Sequence, residues 1–200
     1  MATQAFDHAT ARLHSGRMFL TPSAPTARAP LQRLAHELRA AGLLGEARAG
    51  AANRYQAGAG LFELIAFTGC AVQLGPESNL PPALEIQLEG PFAIPQRRSG
   101  RNARAPRCPV CGKALANWRQ QLCDSTSVGQ PANSEDSLRC EACSALEPGW
   151  AWNWGRHAGY GSLFVALEPV FPGEGQPLPK LFVVLEAIGI GRWHQFYVQE

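Results

Sequence analysis

The chain has 200 residues, 46% of them hydrophobic and 17% charged, with a formal net charge of +2. That length buries one good core plus a small module, and the balance excludes a disordered or collagen-like chain. No apolar run reaches the roughly 18 residues of a membrane span, and Met1–Arg17 lacks the apolar stretch of a signal peptide. The expectation is a soluble cytoplasmic protein with no membrane partner.

Residues 1–28 mix Ala, Thr, Ser, Pro and Arg and read as a flexible N-terminal arm. Within it, Arg17–Leu20 fits a short strand or an anchoring segment. Leu31, Leu34, Ala35, Leu38 and Ala41 recur at the spacing of one helix face, with Pro30 suited to the first turn and Gly42 to the stop. Residues 45–58 read as a loop or a weak hairpin. Gly58–Thr68 reads as a short buried helix, with a buried strand as its rival, because periodicity cannot separate the two over so few residues. Cys70–Leu74 follows as a strand, with Cys70 as a small buried apolar residue. Leu84, Ile86 and Leu88 then alternate with Glu85, Gln87 and Glu89, the pattern of a half-exposed strand. Its predicted partner is the segment near Val72–Leu74. Residues 29–95 thus make the first half of an α+β core.

From Gln96 to Arg107 the composition changes. Arg97, Arg98, Arg101, Arg104 and Arg107 fall within twelve residues that contain no acid. One reading is a phosphate-binding arm, since a guanidinium gives planar bidentate contacts to phosphate. The other is a solvated linker kept extended by its own charge.

The arginines lead into Cys108-Pro109-Val110-Cys111-Gly112, and 28 residues separate Cys111 from Cys140-Glu141-Ala142-Cys143. Two C-x-x-C pairs form a metal-binding pattern with a mechanism: each sits on a tight turn that aims two thiolates at one point. Pro109 and Gly112 suit such a turn. The segment resembles the zinc-ribbon class, whose first knuckle is often written C-P-x-C-G. The resemblance covers Cys108–Cys143 only and implies a structural Zn2+ held by Cys108, Cys111, Cys140 and Cys143. An iron–sulfur site would use the same ligands. Two disulfides are the alternative expected of a secreted chain. A catalytic zinc is disfavoured, because four thiolates leave no open position for water.

Beyond the second pair stand Trp150, Trp152 and Trp154, which at spacing two would point one way on a strand. They read either as an aromatic platform for bases or a partner, or as the surface that docks a metal module onto the core. Residues 96–157 therefore form an Arg-rich linker and zinc-binding insert, and 158–200 return to the core. Gly161–Val170 reads as a strand, Leu181, Val184, Leu185 and Ile188 as a helix face, and Trp193–Val198 as a closing strand. Strand, helix and strand in that order imply a crossover. A weak internal echo relates Leu61–Leu74 to Leu181–Val198.

Together these elements predict an α+β fold. It has a mixed sheet of four or five strands, two or three packing helices and an inserted zinc-ribbon-like module. No phosphate-binding loop, dinucleotide fingerprint, nucleophile elbow or H-E-x-x-H is present. The leading functional expectation is a non-enzymatic, zinc-stabilised module that binds nucleic acid through the Arg-rich arm and the aromatic cluster. The alternatives are a protein-assembly factor with a purely structural zinc, and an enzyme whose site carries no recognised motif.

Overall fold

A computed structural model describes residues 16–68, 83–124 and 137–199. In chain order the elements begin with β1 (Gly16–Pro22), α1 (Leu31–Ala40), β2 (Leu44–Ala47), β3 (Arg54–Ala57), α2 (Leu61–Leu64) and β4 (Ile65–Phe67). Next come β5 (Glu85–Glu89), β6 (Gln96–Ser99), α3 (Trp118–Asp124), β7 (Ser137–Arg139) and β8 (Leu146–Pro148). The chain closes with β9 (Ala158–Gly161), β10 (Phe164–Glu168), β11 (Gly175–Pro177), α4 (Pro179–Glu186) and β12 (Trp193–Gln199).

The fold is α+β with an inserted cysteine module, and its main sheet has six strands in the order β12-β1-β10-β5-β3-β2. Every neighbouring pair is antiparallel, where a mixed sheet of four or five strands was expected. The crossover is nevertheless real. Strands β10 and β12 both lie antiparallel to β1, hence parallel to each other, and α4 connects them.

Of the two options for Arg17–Leu20 the strand is the one realised, and the arm reading is corrected for Gly16–Pro22, which lies inside the sheet between β12 and β10. Its run Met18-Phe19-Leu20 lacks alternation because both faces are covered. Met18 and Leu20 join the core under the helices, while Phe19 joins a second cluster with Phe164 and Phe196. Strand β5 has the expected alternation, with Ile86 and Leu88 inward, but its neighbours are β10 and β3. Both of its edges are therefore taken, and the predicted pairing with Val72–Leu74 fails. The strand predicted at Cys70–Leu74 itself lies outside the described residues.

Helix α1 buries Leu34, Ala35 and Leu38. It ends where Gly42 takes φ +80°, so that the N–H of Leu43 reaches the carbonyl of Leu38 (2.9 Å) and that of Gly42 reaches Arg39 (2.9 Å). A side chain at that φ would be strained, which is why glycine stops the helix there. The residues 45–58 form the hairpin β2–β3. The helix expected over Gly58–Thr68 shrinks to a single turn, Leu61–Leu64, and the chain then extends into β4, which pairs with β11. The echo with Leu181–Val198 rests on Gly69 and Cys70–Leu74, which lie outside the described residues.

The insert hangs from β6 and β9, which pair with each other from Gln96↔Gly161 to Ser99↔Ala158. Strand β9 lies close over the Phe cluster. A Cβ on Gly159 would come within 2.6 Å of the Phe196 ring, and one on Gly161 within 2.1 Å of the Thr21 hydroxyl. Among the described residues no helix is long and apolar enough to cross a membrane.

Candidate metal centre and its basic neck

The two cysteine pairs fold into two copies of one turn. In the first, the N–H of Cys108 bonds the carbonyl of Lys113 (2.8 Å) and the N–H of Gly112 bonds the carbonyl of Cys108 (2.9 Å). In the second, the N–H of Cys140 bonds Ala145 (2.8 Å) and the N–H of Ser144 bonds Cys140 (2.9 Å). The residue after each second cysteine takes a left-handed conformation, Gly112 at φ 71° and Ser144 at φ 60°. Glycine adopts it without strain, and Ser144 bears a cost of about 1–2 kcal/mol for the same geometry. The arginine before each pair also repeats. Arg107 Nη1 donates to the carbonyl of Gly112 (3.3 Å) and Arg139 Nη1 to that of Ser144 (3.4 Å).

These turns bring Cys108, Cys111, Cys140 and Cys143 together, with all four sulfurs within 4.8 Å of one another. Cys108 Sγ lies 3.7 Å from Cys143 Sγ, and Cys111 Sγ lies 3.5 Å from Cys140 Sγ. A metal–sulfur bond of about 2.3 Å sets the corners of a tetrahedron about 3.8 Å apart, whereas a disulfide needs about 2.05 Å. The separations fit ligands of one ion and exclude the disulfide reading; all four cysteines are free. Cys108 and Cys140 are buried, while Cys111 and Cys143 face outward.

As thiols the four groups compete for protons. Burial works against ionising Cys140, but the N–H groups of Cys143 and Ala142 and the thiols of Cys111 and Cys143 outweigh it and draw its pKa down to about 7. For Cys143 the N–H of Ala145 favours the thiolate. Desolvation and the thiols of Cys111, Cys140 and Cys108 overcome that and push its pKa up to about 12. Four sulfurs this close cannot all ionise unaided, and a bound cation supplies the missing charge. The donor set and spacing therefore suit a tetrahedral, thiophilic metal ion. Four protein ligands would fill such a shell, an arrangement compatible with a structural metal.

The tryptophans belong to this module's interior. Trp152 and Trp154 are 3% and 6% exposed and pack with Leu115, Trp118, Leu138 and Tyr160 against Cys108 and Cys140. Trp154 meets Trp118 edge-on at 5.2 Å and 85°, and its indole N–H donates to the Gly149 carbonyl (2.8 Å). Trp150 is half-buried against the same cluster. No strand carries the three; a 3-10 turn spans Gly149–Ala151. The platform reading is thus corrected for Trp152 and Trp154: rings so deeply buried have no face to offer, and they fill the interior of the module itself.

The five arginines separate. Arg97 and Arg98 lie on β6, so the segment is not a free linker at its start. Arg98 donates through Nε (2.8 Å) and Nη2 (2.6 Å) to Glu89 and sits over the rings of Phe164 (4.9 Å) and Phe92 (5.5 Å). That side chain clamps the insert's first strand to β5 and is turned away from any ligand. Arg107 is occupied at its knuckle. Arg101 and Arg104 are exposed at the module's neck. The returning chain brings Arg156, which sequence reading did not single out, beside them. Asn102 Nδ2 reaches the carbonyl of Tyr197 (2.9 Å), and the N–H of Tyr197 donates to the carbonyl of Arg156 (2.9 Å). Burial and then Arg104 hold the His157 pKa below its usual value, and His157 Nδ1 lies 3.4 Å from Asn102 Nδ2.

Beside the neck is a cavity of about 210 Å³ lined by Trp150, Asn153, Tyr160, Ser23 and His194, among others. Burial keeps the His194 pKa low, but among the described residues no carboxylate lines the cavity and no hydrogen bond joins Ser23 to His194. No activated nucleophile is assembled there. Comparison with models of known families, with curated proteins and with solved structures finds no match.

Proposed function

We propose that this protein is a non-enzymatic binding module, stapled by a structural zinc ion at Cys108, Cys111, Cys140 and Cys143, that engages nucleic acid through its basic neck. The observation that carries the reading is that three exposed arginines lie at one neck: Arg101 and Arg156, more than 50 residues apart, both bond β12, and Arg104 acts on His157 next to Arg156. Among the described residues Arg104 and Arg156 form no ion pair. Exposed guanidinium groups on a rigid neck are suited to phosphates, which they meet without reordering a flexible arm. A reducing, cytoplasmic setting belongs to the same reading, since the thiolates must stay unoxidised.

The test is fluorescence anisotropy with labelled single-stranded DNA, duplex DNA and RNA over a salt series. Neutralising three phosphates gives a log–log salt slope of roughly −2 for a single strand and −2.7 for duplex DNA. The triple variant Arg101→Glu, Arg104→Glu, Arg156→Glu is expected to lose the salt-dependent binding. Arg98 is left intact, because its loss would break the Glu89 clamp and confound the result. No binding at low salt would sink the nucleic-acid reading. In that event the assembly-factor reading gains, and one observation favours it independently: Val110 (65% exposed) and Leu146 (55% exposed) are apolar side chains left bare beside the metal knuckles.

A further inference from the structure

We infer that Arg107 and Arg139 are a matched pair of charge-compensating residues that hold the metal in the tetrathiolate site. This rests on the metal reading of the four cysteines and is independent of nucleic-acid binding.

Each arginine immediately precedes the first cysteine of its knuckle, and each reaches the carbonyl of the residue after the second cysteine, at 3.3 Å for Arg107 and 3.4 Å for Arg139. Contacts that long are weak as hydrogen bonds. Their consistent effect is to tie an exposed arginine side chain to its own metal-binding turn. The same placement recurs on two turns whose other residues differ, Pro-Val in one and Glu-Ala in the other.

Charge counting explains why the position matters. Four thiolates around a divalent ion carry a surplus of two negative charges. Residues 107–113 and 139–145 hold Arg107, Lys113 and Arg139 against one acid, Glu141, a surplus of two positive charges. Cys108 and Cys140 are only 3% exposed, so part of the thiolate charge sits where water screens it poorly. Arg107 and Arg139 are themselves exposed, so each acts modestly, but two cations tied to the knuckles favour the loaded, dianionic centre over metal loss.

The experiment uses the full chain loaded with one equivalent of Zn2+ and follows zinc transfer to a chromogenic chelator. Arg107→Gln and Arg139→Gln each keep a donor for the carbonyl but lose the charge. Each is expected to speed release about three- to fivefold, and the double variant about tenfold or more. The Lys variants keep the charge and should release zinc at nearly the wild-type rate. A second readout is the reduction potential of the iron-substituted protein. The reduced centre carries one more negative charge than the oxidised one, so each Gln variant should shift the potential downward and each Lys variant should not. Wild-type release and potential in the double Gln variant would overturn the inference. So would Lys variants as leaky as the Gln ones, which would make the contact a geometric tie. A protein that takes up no stoichiometric metal overturns the metal reading and this inference together, whereas normal uptake with unchanged release overturns the inference alone.

Discussion

Replacing Trp154 with alanine separates a packing tryptophan from a binding one. The ring is 6% exposed and wedged between Trp118 at 5.2 Å and Tyr160 at 5.6 Å. A tryptophan buries on the order of 200 Å², which at about 25 cal/mol per Å² amounts to about 5 kcal/mol. Tryptophan-to-alanine changes in protein cores cost about 3–5 kcal/mol, the same range. The module has little else to lean on, so a loss of that size should unfold it and release its metal. The core beneath the helices does not include Trp154 and should survive. The assay is thermal unfolding followed by near-ultraviolet circular dichroism, with zinc release recorded in parallel. The expected result is an early module transition that carries the metal away, followed by melting of the main sheet. Trp150→Ala, at a half-buried site, should cost far less. If Trp154→Ala kept its zinc and its unfolding profile, the packing argument would be wrong.

The two knuckles give an opposed pair of substitutions. Gly112→Ala meets no atom within 4 Å, so its cost is the left-handed backbone alone, about 1–2 kcal/mol, visible as faster zinc release. Ser144→Gly relieves the same strain at the equivalent site and should slow release or leave it unchanged; faster release would show that the Ser144 side chain matters more than its backbone. For pH, His194 has a folded-state pKa held by burial below the unfolded value of about 6.5. The unfolded chain then binds more protons in mild acid. The contribution to stability is whole above about pH 6.5 and is lost as pH falls towards the folded value. Chemical denaturation at fixed zinc occupancy should show His194→Gln losing less stability than wild type between about pH 7 and 5, and parallel curves would contradict this.

How much was legible in the chain depends on the range of the contacts involved. Helix α1 and strand β5 carry their period in a short window, and the C-x-x-C turns are closed by contacts within six residues, so composition and spacing suffice for all of them. The doubled knuckle was also readable, since Arg107-Cys108 and Arg139-Cys140 stand in the sequence in the same order. The neck patch was not. Arg101 and Arg156 come to the same strand, at Gln199 and Tyr197, because β6 pairs with β9 just beyond them. Likewise Arg98 looks like one of five equal arginines until Glu89, Phe92 and Phe164 are placed around it. Strand β1 stayed one of two options for Arg17–Leu20 for a related reason: a central strand covered on both faces loses the alternation that marks a strand, and here it follows a polar segment.

The same long-range pairing ties the metal to the main sheet. Among the described residues strand β12 is an edge of that sheet, with β1 as its ladder partner there. An open edge invites pairing with other chains. Here the neck covers it: the N–H of Arg101 donates to Gln199 (2.9 Å), the carbonyl of Arg156 accepts from Tyr197 (2.9 Å), and Asn102 bonds both Tyr197 and Gln199. Those covering residues are the first and last of the insert, and the insert's interior is built on two of the metal's ligands. Loss of the metal therefore loosens the cover on β12 as well as the knuckles, and the surface that carries Arg101 and Arg156 goes with it. The cysteine site lies outside the basic neck but is joined to it through the insert's interior, so binding that depends on the neck should depend on the metal too.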